Sequence, residues 1–160
     1  MTFPTKDALC TRFATELILR RSDEIISTVS IVPDVNRSDK EKQDLVKNFK
    51  GDGDVWTDLG LIIESAGEAM GLDANKKFST DVLRIEVSGP NQPHLTLVDI
   101  PGLFHSGSKT QSDADASAVK TLVTSYMEKS RSIIFAVVSA KNDVNNQVSL
   151  QTEVLSSRVG

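Results

Sequence analysis

Apolar and polar positions fall into several distinct patterns along this chain, and each predicts an element. Residues 13–20 place Thr15, Leu17 and Leu19 on one face and read as a strand. After a charged turn at 21–24, residues 25–32 are rich in β-branched side chains and read as a second strand, expected to form an antiparallel hairpin with the first. Residues 33–37 connect. Ser38 and Glu41 have capping-box spacing, so a helix is expected from Asp39, with Leu45, Val46 and Phe49 as its apolar side. Gly51-Asp52-Gly53-Asp54 ends it. Val55, Leu59, Ile62, Ile63, Ala66 and Met70 then recur at helical spacing, after an acidic start that suits the helix dipole, and Gly71 supplies the stop.

The second half predicts the inside of an α/β sheet. Leu83, Ile85 and Val87 alternate with Arg84 and Glu86, the pattern of a half-buried strand over 82–88. Residues 89–93 turn, and the apolar run Leu95-Thr96-Leu97-Val98 returns as a buried strand, the two being expected as antiparallel neighbours. A polar loop is expected over 104–111, then a helix with Ser112 as N-cap, Asp113 and Asp115 in its first turn, and Val119, Leu122, Val123, Tyr126 and Met127 as its buried stripe. Residues 132–139 are the most apolar run and read as a central parallel strand covered on both faces. A last helix carries Val144, Val148, Leu155 and Val159 on one side. The order strand, strand, helix, strand, helix is expected to be the interior of a sheet without an opening βα unit or a strand after the last helix.

Composition narrows the class. At 160 residues, 39% hydrophobic and 25% charged, the chain suits one globular domain with a real core. A net charge of −4 argues against a general nucleic-acid binder. One cysteine, Cys10, excludes an internal disulfide and fits a reducing compartment. Asp7 and Glu16 interrupt any signal-like stretch, and no apolar run approaches the roughly 20 residues of a membrane span, so a cytoplasmic address is expected. His94 and His105 lack metal-ligand spacing. Trp56 and Tyr126 read as packing, and the interleaved charges of 37–50 as a solvated helix face.

Chemistry concentrates where the run ends in Asp99-Ile100-Pro101-Gly102. Ligands of open α/β sheets sit beyond the carboxyl ends of strands. A carboxylate there can hold Mg²⁺ through water, and Gly102 can offer a bare backbone N–H to a phosphate. The plain alternative is a strand ending in an ordinary turn.

Residues 95–102, with Leu103 and Phe104, resemble the switch II region of dynamin-family GTPases, whose signature is Asp-x-Pro-Gly after a strand. Leu9-Cys10-Thr11-Arg12 resembles switch I of the same family, and 132–147, with Ser139-Ala140-Lys141-Asn142-Asp143, its next strand and loop. Fungal dynamin-like proteins are the closest likeness. The resemblance implies a partial, P-loop GTPase-like α/β domain over 1–160, running from switch I to just before the guanine-specificity motif. It implies GTP and Mg²⁺ as cofactors. Thr11 would be the catalytic threonine, its hydroxyl on Mg²⁺ and its backbone near the γ-phosphate and the attacking water. Asp99 would hold Mg²⁺ through a water, and Pro101 and Gly102 would lie against the nucleotide, Gly102 giving its N–H to the γ-phosphate. It also implies self-assembly or pairing with related chains, contact with membranes through other segments, and a peripheral address at membranes or microtubules.

The P-loop G-x-x-x-x-G-K-[ST] does not occur in these residues, and the ten residues before Thr11 are too few for it. Ala140-Lys141-Asn142-Asp143 imitates the guanine-reading motif but sits one helix and strand too early. The expectation is therefore a GTPase domain crippled in nucleotide binding. The alternatives are a non-catalytic interaction fragment that pairs with a complete relative, and an unrelated binding domain in which Asp-Ile-Pro-Gly is a turn.

Overall fold

In a computed structural model, residues 11–102 and 113–135 are described. The chain divides into two compact units, 1–101 and 102–160. The expected 104–111 loop, the Ser112 cap, Cys10, His105, the 139–143 loop and the last helix lie outside the described residues.

The first unit is a mixed four-stranded sheet with flanking helices. Its strands are β1 (Ala14–Arg21), β2 (Ile26–Val32), β3 (Val82–Gly89) and β4 (Leu95–Asp99), in the order β2-β3-β1-β4. The elements stand where periodicity places them, but both expected pairings are wrong. β1 and β2 are not a hairpin: β3 lies between them, parallel to β1 and antiparallel to β2. β3 and β4 are not neighbours either, because β4 pairs antiparallel with β1. The links explain how both happen. Five Cα steps from Arg21 to Ile26 reach about 16 Å, enough to cross two strand spacings of about 4.8 Å each. The 90–94 link crosses β1 in the same way, and the Arg21 Nε donates to its Gln92 carbonyl at 3.4 Å.

Register builds one apolar face. Leu17 pairs with Ile85, which pairs in turn with Val29, and Leu83 pairs with Ile31. Directly paired residues point to the same side of a sheet. With Phe13 and Val87, this face packs against Leu59, Ile62, Ala66 and Met70 to make the core. These last come from α2 (Leu59–Ala69) and the residue that ends it. Leu95 and Leu97 pair with Leu19 and Leu17, so β4 extends the same face, yet they are 45% and 50% exposed. The expectation of a buried β4 fails: within this unit it is the edge strand, and all five of its residues are exposed. On the opposite face the register pair Glu16 and Arg84 forms an ion pair at 2.8 Å.

Two helix ends follow from single residues. α1 (Asp39–Asn48) opens with a complete capping box: Ser38 Oγ accepts the Glu41 N–H, and the Glu41 carboxylate accepts the Ser38 N–H at 2.8 Å. Ser38→Ala is expected to lower stability by about 1 kcal/mol, read as a shift of the urea midpoint with unchanged slope. Leu45 is the buried residue of α1, while Val46, expected on its apolar side, is 56% exposed. α2 ends in a Schellman motif, in which the Leu72 N–H donates to the Gly67 carbonyl and the Gly71 N–H to that of Glu68. Gly71 has φ 74°, which explains glycine there.

The acids expected at the start of α2 precede it, and its first turn carries none. Asp54 instead caps the turn before the helix, accepting from the amides of Trp56 and Thr57. Trp56 itself is 49% exposed rather than packed inside.

In the second unit, α3 (Asp113–Met127) buries Val119, Leu122, Val123 and Met127 of the expected stripe, while Tyr126 is half-buried. Residues 132–135 are not strand, contrary to expectation, and Ile133 and Phe135 are 98% and 89% exposed. A strand exists by its ladder, and these four residues have no ladder partner among the described residues. The rest of the expected strand lies outside them.

Candidate functional site

β4 ends at Asp99 and β1 begins three residues after Thr11, and their antiparallel pairing brings these two ends together. Asp99 pairs in register with Thr15. The Thr11 Oγ1 donates to Asp99 Oδ2 at 3.0 Å, across 88 positions of sequence. The two residues singled out for metal chemistry are therefore in contact. Pro101 is fully buried, while Gly102 is exposed with open space around its Cα. Pro101 belongs to the first unit and Gly102 to the second. His94 is an exposed turn residue.

Thr11 and Asp99 line a cleft of about 320 Å³ that runs between the start of β1 and α2. Its wall mixes the apolar Phe13, Ile63 and Leu72 with the carboxylates of Glu64 and Glu68. Thr15, which is 6% exposed, lies in the same wall. Among the described lining residues Arg12 is the one cation, and its guanidinium is committed elsewhere. Nε donates to the Lys77 carbonyl at 2.8 Å, and Nη2 to those of Asp73 and Lys76 at 2.9 and 3.0 Å.

The loop that receives Arg12 is itself braced. The Asp73 carboxylate accepts the amides of Lys76 and Asn75, which hold its pKa below the ordinary value. The Lys76 ammonium donates to the Met70 carbonyl at 2.7 Å. Partial burial, with Arg37 nearby, pushes its pKa down.

The chemistry of this donor set suits a hard cation. Both are oxygen donors of the kind a hard cation accepts, and here their 3.0 Å separation is that of a hydrogen bond between them. Among the described residues no group of three or more His, Cys, Asp or Glu side chains is placed to hold a metal. The pair therefore fits a metal that keeps most of its waters, as Mg²⁺ does. Among the described lining residues no cation is free to meet phosphate charge, since Arg12 donates to backbone carbonyls.

Sequence reasoning missed two residues near this site. Asp81 was not singled out, yet it is fully buried just before β3. It accepts from Arg37 Nε at 2.7 Å and Nη2 at 2.5 Å, from the Ser79 hydroxyl at 2.6 Å, and from the Asp34 N–H at 2.9 Å. Arg37 is thus not part of a solvated charged face. A single acid directly before an alternating strand was the available signal. Arg12 was noticed only as the neighbour of Thr11, and nothing in the sequence marks carbonyl groups 61–65 residues away as its partners.

A profile of the dynamin family matches residues 1–158. Among curated proteins, the chain is 33% identical over 86 residues to interferon-induced GTP-binding protein Mx1 of Rattus norvegicus, covering 52% of this chain and 13% of that protein. It is 36% identical over 69 residues to dynamin-related protein 5A of Glycine max, covering 43% and 11%. It is 34% identical over 70 residues to phragmoplastin DRP1A of Arabidopsis thaliana, covering 44% and 12%. The matched stretches thus span roughly an eighth of these relatives' own length.

Proposed function

The chain belongs to the dynamin family, and on that premise we propose that it carries the switch portion of a GTP-binding, GTP-hydrolysing domain. Thr11 and Asp99 are the Mg²⁺-facing pair, and the 3.0 Å contact between them is the observation that carries this reading. Mg²⁺, when bound, would neutralise phosphate charge, and this chain's part would be to hold it by the Thr11 hydroxyl and, through a water, by the Asp99 carboxylate. Pro101, fully buried, fixes the exit from β4, and Gly102 would offer its N–H to a phosphate without a side chain in the way. The 160 residues do not contain G-x-x-x-x-G-K-[ST], so the chain alone binds GTP weakly. In a longer protein it would serve a self-assembling GTPase that remodels membranes from the cytoplasmic side. Among the described residues no helix is long and apolar enough to cross a membrane. The relatives named above come from an animal and two plants, so a fungal affiliation rests on the sequence resemblance.

One observation favours a second reading, a non-catalytic chain that pairs with a complete relative: Arg12, the cation among the described lining residues, is committed to backbone carbonyls. Titration of the purified chain with a fluorescent GTP analogue and Mg²⁺, repeated for Asp99→Ala, separates the two. The first reading expects weak saturable binding that Asp99→Ala weakens by at least tenfold, the order lost with a metal-site partner. Binding indifferent to Asp99, or none by the folded chain, selects the second.

A further inference from the structure

The geometry points to Arg12 as a positioning residue that holds Thr11 against Asp99 before any ligand arrives, by riveting the start of β1 to the loop after α2. The inference rests on the reading of Thr11 and Asp99 as a metal-facing pair. Three attachments converge on this residue and the one after it. Its guanidinium donates to three carbonyls of the 73–77 loop, at 2.8, 2.9 and 3.0 Å. Its own carbonyl accepts the Ser79 N–H at 3.0 Å. The next side chain, Phe13, is in the core at 4% exposure.

Thr11 is one peptide from Arg12 and two from Phe13, so its backbone is tethered on the C-terminal side. Among the described residues its hydroxyl has Asp99 as its hydrogen-bond partner. The loop that receives Arg12 is rigid enough to act as a mount, since the Asp73 side chain accepts two of its amides at 2.7 Å and Lys76 is tied to Met70 at the end of α2. The chain of contact therefore runs from α2, through the 73–77 carbonyls and Arg12, to Thr11.

The residue type matters. A guanidinium offers five N–H donors in a planar fork, and here Nε and Nη2 address three carbonyls at once. A lysine ammonium is a point charge on a flexible stem and cannot reproduce that fork. Arginine beside the threonine thus has a role distinct from meeting phosphate charge.

The test uses the full chain as Arg12→Ala and Arg12→Lys, with Ser38→Ala as a destabilised control remote from the cleft. The first readout is hydrogen exchange without ligand. We expect Arg12→Ala to remove protection at 11–13 together with 73–77, while 83–87 in β3 stays protected, and Arg12→Lys to restore it in part. The second is binding of Mn²⁺ alone, followed by its electron spin resonance signal. Loss of a group that orients a metal ligand typically weakens metal affinity on the order of 10- to 100-fold, and that is the drop expected for Arg12→Ala but not for Ser38→Ala.

Loss of protection at 73–77 with 11–13 and Mn²⁺ affinity unchanged would overturn the inference, since Arg12 would then serve the loop alone. If the wild-type chain binds no Mn²⁺, the metal-facing reading fails, and the exchange pattern still decides whether Arg12 positions Thr11. Should Arg12→Ala not fold, Arg12→Lys supplies both readouts.

Discussion

Arg37→Met is expected to destabilise the fold by about 3 kcal/mol at neutral pH, the scale for breaking one side of a buried ion pair, and by less as the solution is acidified. Asp81 is the reason. Its carboxylate is 1% exposed and the Arg37 side chain 22%. Burial pushes the Asp81 pKa up, but the Arg37 guanidinium, the Ser79 hydroxyl and the Asp34 amide outweigh it, and the net value lies below 3.8. A carboxyl whose folded pKa is depressed contributes stability above its unfolded value and loses it as pH falls through the folded one. The wild-type chain therefore loses this contribution below about pH 3.8.

Without the guanidinium, burial acts against two neutral donors, and the folded pKa of Asp81 rises. A raised carboxyl favours the folded state more as protons are added, so the variant gains where the wild type loses. Urea midpoints at neutral pH and near pH 3.5 measure both. A gap of equal size at the two pH values would show that the interaction is packing by the arginine stem rather than charge.

Local order was legible because it is written in neighbours. Ser38 and Glu41 are three apart, and Gly71 directly follows Met70, the apolar residue that ends α2, so both helix ends could be read from spacing. The alternation in β3 was legible for the same reason, Leu83, Ile85 and Val87 being its inward face. Strand order was not legible. Links of four and five residues allow either a hairpin or a step over one strand, and only the shared apolar face of β1, β3 and β2 decides between them.

Side chains whose partners are distant were also hidden. Arg37 stands in a run of interleaved charges, and Asp81 is 44 positions away. Of the candidate site, the Asp99 end was visible as an acid closing an apolar run. Thr11 was reached by family resemblance, because no local pattern says that position 11 meets position 99. The exposure of β4 could not be foreseen from its sequence either: an apolar run reads alike whether a covering layer lies over it or not.

Leu83→Ala is expected to destabilise by about 2–5 kcal/mol, the range for a leucine truncated in a close-packed core. Leu83 is 0% exposed in β3, the strand between β2 and β1, with Ile31 on one side and Thr15 on the other as its register partners. A sheet interior cannot collapse onto a missing side chain as a loop can, because the ladders on both sides fix the backbone spacing. Leu83→Ile keeps the volume and should stay under about 1.5 kcal/mol. Val46→Ala, on an exposed helix face, should stay within about 0.5 kcal/mol.

The site gives the substitution a second reading. Thr15 is at once the register partner of Leu83 and of Asp99, so a void at Leu83 opens beside the strand position that faces Asp99. If the β1–β4 ladder holds, Leu83→Ala lowers global stability and leaves exchange protection across 15–19 and 95–99 in its native rank order. If the ladder slips, protection in those two segments falls below that of 26–32, and Asp99 loses its place opposite Thr15. Chemical denaturation gives the size of the loss, and hydrogen exchange tells which of the two the sheet does. The two ladders that flank β1 predict the first.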